Sequence, residues 1–229
     1  MRISTIGSAV CSLALPLLLL QPAPASSASS SSKALDEAMS QGGLHKISVK
    51  GIELAYAKPG ASLASYKRVR IDPVEVSFHK SWDPTRTGSN IKVSAAERQK
   101  ILDGMAKLVQ EEFARALQAD NGYAVTEESG DDVLRVKIDI ANLYVSAPSG
   151  SSSGRSRTYV VSAGEMTLVA ELSDSKSGDV VARLVDRREA RSAGRVSLSD
   201  SVYNQGEARS IAAGWARILR KALDKAHGI

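Results

Sequence analysis

Alternating apolar and polar residues predict most of the strands in this chain. The strictest alternation spans residues 134–140, where aliphatic side chains are separated by charged ones, and it predicts a strand with one buried and one wet face. A second alternation covers 159–172, and a turn at 174–179 leads into a third strand over 180–186. These three segments indicate an antiparallel meander.

Another strand, between Tyr66 and Phe78, is predicted to change the phase of its alternation. Val69 and Ile71 share one parity, and after Pro73 the apolar positions fall on the other parity. Because proline has no N–H to donate, a sheet tolerates it only at an edge or a bulge, so a bulge or bend is expected there. Two shorter strands are predicted, over 52–56 and 123–127.

Two helices are predicted from apolar residues spaced three or four apart. The first runs over 94–118 and opens with Ser94 and Glu97 at the spacing of a capping box, in which each side chain bonds the other's backbone. The second runs from about 207 to 227 and carries Trp215 on its apolar stripe. Each helix therefore has one face with which to cover a sheet.

The order of these elements predicts an α+β fold. It reads strand, helix, four strands, helix, and indicates an antiparallel sheet of about five strands with both helices on one face. Parallel pairing would require crossover connections of about a dozen residues or more, and none is expected between these strands.

The first residues have the pattern of a cleavable signal peptide. Arg2 supplies a positive start, residues 6–20 are almost continuously apolar, and small residues follow. We expect cleavage between Ala25 and Ser26, with Ala28 as a second choice, and so a signal peptide over 1–25. An uncleaved anchor is the alternative, although the apolar run is shorter than the roughly 18 residues that a spanning helix needs.

After the signal peptide, residues 26–46 are predicted as a disordered Ser-rich linker, and 47–229 as a single α+β domain. The mature chain is expected to have no transmembrane segment and to be periplasmic or secreted.

Cys11 is the one cysteine of the chain, and it lies inside the apolar run. The mature protein is therefore expected to have no disulfide, no thiolate nucleophile and no cysteine-ligated metal. A lipoprotein signal would place a small residue directly before the cysteine and the apolar run ahead of it. Val10 precedes Cys11, and most of the leucines follow it, which disfavours lipid anchoring through Cys11.

Composition narrows the classes of partner. The formal charge of +5 is compatible with an anionic lipid, lipopolysaccharide or another envelope protein as partner, and equally with a mixed solvated surface. Aromatic residues make up 4% of the chain, so rings for stacking on sugars or bases are scarce. Together with the export signal, this argues against nucleic-acid binding.

Three groups of residues are candidates for a functional site. Trp82, in the connection before the first helix, is expected to pack in the core or to anchor a partner. Acid pairs at 111–112, 127–128 and 131–132 are expected on solvated surfaces, with acid–base chemistry as the alternative. The alternative for the densest basic stretch is that Arg187 and Arg188 pair with Asp186 and Glu189 beside them. As a candidate patch for an anionic partner, this stretch comprises Arg183, Arg187, Arg188, Arg191 and Arg195.

Several of these features together resemble a bacterial family known as domain of unknown function 3313. The resemblance rests on the segment 66–76, on Trp82, on the strand around Leu134, on the turn 174–180 and on the closing segment 215–224. It implies an envelope protein of the lipoprotein type with no assigned activity, and it implies no catalytic residue. The chain departs from that pattern in lacking a lipoprotein signal.

The sequence therefore favours an exported cell-envelope protein that acts as a non-enzymatic accessory or binding module. The alternative is a secreted hydrolase that uses paired carboxylates. No catalytic residue, cofactor or metal site is predicted, since the three histidines are far apart and no phosphate-binding loop follows a strand.

Overall fold

The computed structural model describes residues 27–82, 94–145, 163–189 and 201–229. The chain divides into two units, 1–36 and 37–229, and the described part of the first unit belongs to one helix. The helices are α1 Ser27–Ser40, α2 Ala95–Gln118 and α3 Ser201–His227. The strands are β1 His45–Ile47, β2 Leu54–Ala57, β3 Arg68–Ile71, β4 Glu75–Phe78, β5 Ala124–Val125, β6 Val133–Val145, β7 Ala163–Asp174 and β8 Val180–Glu189.

Within the described residues these strands form one mixed sheet, in the order β1-β2-β8-β7-β6-β3-β5 with β4 also beside β6. β6 runs parallel to β3 and β4, and β3 runs parallel to β5, whereas the other pairs are antiparallel. The α+β class is confirmed, but the predicted antiparallel sheet of about five strands is wrong. The 24-residue α2 is itself the crossover connection that parallel pairing requires.

The predicted change of phase at Pro73 is confirmed as a break between β3 and β4. Both strands pair with β6, β3 over its first residues and β4 further along. The backbone N–H of Asp72 still donates to Val136 at 3.0 Å, and Pro73, which has no N–H, follows where the pairing is interrupted.

The predicted meander is confirmed in β6, β7 and β8, which pair antiparallel in chain order. Their register places Val136, Leu172 and Ala182 side by side, and the next inward row is Ile138, Ala170 and Leu184. These inward side chains share one hydrophobic core with the buried faces of α2 and α3. Both helices therefore pack against the same face of the sheet, here called the inner face.

Helix α2 begins with the predicted capping box. The Ser94 hydroxyl accepts from the Glu97 N–H at 3.2 Å, and the Glu97 carboxylate accepts from the Ser94 N–H at 2.7 Å. The helix ends at Gln118, and its last carbonyls are bound by Arg220 of α3, whose Nη1 donates to Leu117 at 3.1 Å and to Ala119 at 2.7 Å. Arg220 thereby joins the two helices.

The range 26–46, predicted as a disordered linker, contains α1 and β1 in the structure. Met39 and Leu44 are buried with Tyr56 in a small second cluster, to which Leu54 and Val185 also pack. Leu54 and Tyr56 have the opposite parity to the inward residues of β2, so this cluster lies on the other, outer face of the sheet. The signal-peptide residues, the cleavage position at Ala25 and Ser26, and the Ser-rich connection 146–157 lie outside the described residues.

Candidate functional site

A cavity of about 160 Å³ lies between the inner face of the sheet and α3. Strands β6, β7 and β8 form its floor, α3 forms its roof, and the segment 47–63 closes one side. Every lining side chain is apolar. The floor includes Val136, Leu168, Ala170, Leu172, Ala182 and Leu184, and the roof includes Trp215, Ile218, Leu219 and Ala222.

Small side chains create this cavity. Ala57, Ala182 and Leu172 lie side by side on three adjacent strands, and Ala170 lies next to Leu184 in the following row. The roof above them contributes Ala222, which is also small. Since alanine methyl groups do not reach the helix above, the volume between sheet and helix is left unfilled.

The cavity opens to solvent between α3 and the segment 47–63. Ile47 lines it and is 44% exposed, which makes it one of the few exposed large apolar residues in the described chain. Ala61 and Ala222, which also line it, are exposed as well. The opening is therefore bordered by apolar side chains, and water inside would find no polar partner.

A buried carboxylate holds the roof in place. Asp186 of β8 is 4% exposed and accepts three hydrogen bonds. They come from the Trp215 indole N–H at 2.6 Å, from Arg188 Nε at 2.6 Å, and from the Glu53 backbone N–H at 2.9 Å. This Asp186 network ties α3, β8 and the side wall together, and so fixes the roof of the cavity relative to its floor.

A more polar groove of about 400 Å³ adjoins the cavity along α3. The two share Trp215 and Ile218, which form the boundary between them. The polar side chains of this groove come from the end of β8 and from the exposed side of α3; they are Arg188, Glu189, Glu207, Ser210 and Arg217.

Ion pairs lie on the part of the outer face that the small second cluster does not cover. Asp72 bonds Arg135 at 2.6 Å, and Lys137 lies 3.7 Å from Asp139. One Asp139 oxygen is buried without a hydrogen-bond partner, and its removal from water raises the pKa of that carboxyl above the ordinary value. Such pairs typically contribute little stability, and they leave this part of the outer face polar.

The structure separates the arginines of the predicted anionic-partner patch. Arg183 and Arg187 point to the outer face, where they bond Glu171 at 2.9 Å and Glu165 at 2.7 Å. Arg188 points to the inner face and bonds Asp186. Neighbouring residues of a strand face opposite sides, so one stretch of sequence does not make one surface. Arg191 and Arg195 lie outside the described residues, and binding of an anionic partner by this patch stays a prediction.

Five of the six acids in the three pairs lie near cations. Glu112 is buried and bonds Arg115 at 2.6 Å, while Glu111 is partly exposed beside Lys107. Asp131 bonds Lys176 at 2.8 Å. Arg68 bonds Asp132 at 2.7 Å and lies 3.7 Å from Glu128, and its hydrogen bonds lower the pKa of Asp132 below the ordinary value.

Two of the three histidines, and Trp82, have local partners. His227 Nδ1 lies 3.2 Å from the Tyr123 hydroxyl, which donates to Asp224 at 3.1 Å, and burial raises the pKa of Tyr123. His79 Nδ1 lies 2.8 Å from the Ser81 hydroxyl. In the described part of the chain, no three metal-ligating side chains form a group. Trp82 stacks on Phe78 with ring centroids 4.1 Å apart and packs on the core edge, as one of the two expectations had it.

Sequence reasoning missed the cavity and the role of Asp186. The available signal was the presence of alanine at inward positions of three strands, 57, 170 and 182, where the neighbouring strand β6 carries valine and isoleucine. In the sequence, Asp186 stands out only as an acid beside Arg187 with which that arginine can pair.

Fold and cavity together define an α+β protein with one mixed sheet, two covering helices and an open apolar cavity. The model of a known family, described as protein of unknown function DUF3313, matches residues 43–219. The chain therefore belongs to that family, and the resemblance noted in its sequence is confirmed. A comparison with curated proteins found no match to the sequence of this chain.

Two solved structures show a weak likeness. A dodecameric PelC from Paraburkholderia phytofirmans shares 13% identity, with 72% of this chain and 96% of that one covered at a TM-score of 0.35. A Xanthomonas campestris protein described with family DUF330 shares 12% identity, with 74% and 93% covered at a TM-score of 0.41. Overlaps of this size support no functional assignment.

None of the helices in the described residues is both long enough and apolar enough to cross a bilayer.

Proposed function

We propose that this chain is an exported cell-envelope protein that works by binding, and that its apolar cavity receives an apolar ligand or the apolar part of one. The observation that supports binding most directly is a cavity of about 160 Å³ that is lined by apolar side chains and opens to solvent. An engineered cavity of roughly 150 Å³ with a similar lining stays dry and binds benzene. This cavity is of the same size, and its opening gives a ligand direct access.

The size of the cavity bounds the affinity it can supply. A volume that holds benzene accommodates roughly six carbon atoms, and each buried methylene contributes about 0.8 kcal/mol. The gross gain is then about 5 kcal/mol, which corresponds to dissociation constants near 1 mM to 0.1 mM. A ligand that binds more tightly has to make further contacts outside the cavity.

Binding is favoured over the alternative of a carboxylate hydrolase. In such enzymes two carboxyl groups flank the scissile bond, and one of them has a raised pKa. The acids proposed from the sequence lie instead beside Arg68, Arg115 and Lys176, and Asp132 has a lowered pKa. No described acid lines the apolar cavity.

Ligand binding is tested with a naphthylamine probe whose fluorescence rises in apolar surroundings. We expect saturable binding to the wild-type chain and at least tenfold weaker binding to Ala182→Leu, because the larger side chain occupies the cavity. The melting temperature of this variant should stay the same or rise, since filling a void restores contacts.

Two further variants make this test decisive. Ala222→Leu narrows the opening from the exposed side of α3, so it reports on the cavity even where Ala182→Leu disturbs the floor. Ala124→Leu, at an exposed position of β5 on the opposite sheet edge, is the matched control and should bind like wild type. Absence of saturable binding to wild type, or unchanged binding by both cavity variants, would refute the binding proposal.

Export is supported by the signal-peptide pattern of the first residues. The one cysteine, Cys11, lies inside that signal peptide, so the mature chain is expected to contain no thiol. The test is fractionation of cells that make the full chain, followed by intact-mass measurement. We expect the protein in the envelope or secreted fraction, with the intact mass of a chain that begins at Ser26. Cytoplasmic material that retains Met1 would contradict export, and an added lipid mass would show anchoring.

A further inference from the structure

We infer that the ligand is a single-chain anionic amphiphile, whose tail tip fills the apolar cavity and whose head group lies among cations at the opening. This inference rests on the proposed binding function and names its ligand class. It is drawn from the charges around the opening, the groove beside it and the volume of the cavity.

Three cations belong to elements that border the cavity, and Arg188 is the one that the structure places beside the opening. Lys50 and Lys221 are exposed and adjoin the lining residues Val49 and Ala222 in sequence. Arg188 also lies at this end: a Cβ placed on Gly51 would be 3.2 Å from Ile218 Cδ1 and 3.9 Å from Arg188 Nη2. An anionic head group at the opening would therefore meet a locally positive potential.

Arg188 is fixed in position by bonds that leave part of its guanidinium accessible. Its Nε donates to Asp186 at 2.6 Å, and its Nη2 donates to the Gly51 carbonyl at 2.5 Å. Its side chain is nevertheless 43% exposed. Asp186 neutralises much of its charge, so Arg188 contributes directed N–H groups more than net charge.

Arg217 is the cation of the groove that no described acid neutralises. It is exposed on α3, lines the polar groove beside Trp215 and Ile218, and makes no ion pair with any described residue. The acids of that groove do not cancel it: Glu189 bonds Arg187 at 3.1 Å, and Glu207 lies ten residues earlier on the helix, about 15 Å along its axis. The end of the groove that meets the cavity is therefore cationic.

The cavity volume limits the tail to one chain. About 160 Å³ holds roughly six carbons, whereas the two tails of a phospholipid would need a larger space. Each methylene inside should raise affinity about fourfold, until the cavity is full. Further methylenes remain outside and should add little, so affinity should level off with chain length.

The test measures displacement of the naphthylamine probe by straight-chain carboxylates of increasing length, each kept below its micelle concentration. We expect affinity to rise about fourfold per methylene and then to reach a plateau. Neutral 1-alkanols of equal length should bind about tenfold more weakly. Arg217→Gln should weaken the carboxylates by a similar factor without affecting the alkanols. Arg98→Gln, an exposed cation near the start of α2, is the control and should change neither series.

The outcomes separate this inference from the proposed function. Equal binding of carboxylates and alkanols, together with no effect of Arg217→Gln, overturns the anionic head group and leaves apolar binding intact. Failure of every single-chain compound to displace the probe, with phosphatidylglycerol vesicles binding the protein instead, overturns the single-chain ligand. Failure of the probe itself to bind overturns both proposals.

Discussion

The inner face of the sheet is filled beneath α2 and left partly empty beneath α3. On the α2 side, Val69, Met105, Val109 and Leu134 have no exposed surface. On the α3 side, Ile52, Ala182, Leu184 and Ile218 border the cavity and remain partly exposed. One sheet thus has a closely packed half and a half with free volume. Close packing and free volume are therefore found on different strands of the same sheet.

Connectivity and side-chain size account for this division. In the packed half, the crossover from β4 through α2 to the parallel strand β6 covers inward valine, leucine and isoleucine residues. In the other half, β7, β8 and β2 offer inward alanines at 170, 182 and 57, and the sheet ends in the three-residue strand β1. Fewer contacts are available there, and the volume between sheet and helix is not closed.

The largest expected effect is the difference in stability lost when one leucine is truncated in each half. Leu134→Ala removes a fully buried side chain from a closely packed site, and we expect the free energy of unfolding to fall by about 4 kcal/mol. Leu184→Ala, whose side chain already borders a void, should cost only about 1.5 kcal/mol. Urea unfolding of both variants measures the difference, and equal losses would contradict the division into two halves.

The second expected effect concerns the Asp186 network. Asp186→Ala leaves the Trp215 indole N–H, the Glu53 amide and the Arg188 guanidinium without their acceptor, which should cost about 3 kcal/mol. Probe binding should also weaken, since the roof and the side wall lose their common anchor. Asp186→Asn retains an accepting oxygen and should lose less on both measures. A stable Asp186→Ala with unchanged probe binding would show that the roof is held by other contacts.

Local features of the fold could be predicted from the sequence because they depend on neighbouring residues. The capping box of Ser94 and Glu97, the break at Pro73 and the alternation of β6 each follow from a short stretch of chain. The parallel pairing of β3 with β6 could not be read in this way, since alternation does not specify which strand lies alongside. Recognising α2 as a crossover would have supplied the missing information.

The candidate site was hidden for a similar reason. The cavity depends on small side chains at 57, 170, 182 and 222, which come from four elements and meet only in the folded chain. The arginine patch shows the reverse case. Arg187 and Arg188 are adjacent in sequence but lie on opposite faces of β8. Their adjacency in sequence therefore does not mean that they share a surface.

The bond of Arg220 to the end of α2 has a consequence for how the cavity can widen. Its guanidinium fits so closely against Gly122 that a methyl group at that position would collide with it. Arg209 adds a second link between the two helices through Glu112 at 3.5 Å. Because both links join the same two helices, a shift of α3 away from the sheet would have to carry α2 with it. Widening of the cavity therefore requires either that joint movement or loss of the bond between Asp186 and the Glu53 amide, which ties the side wall to the roof.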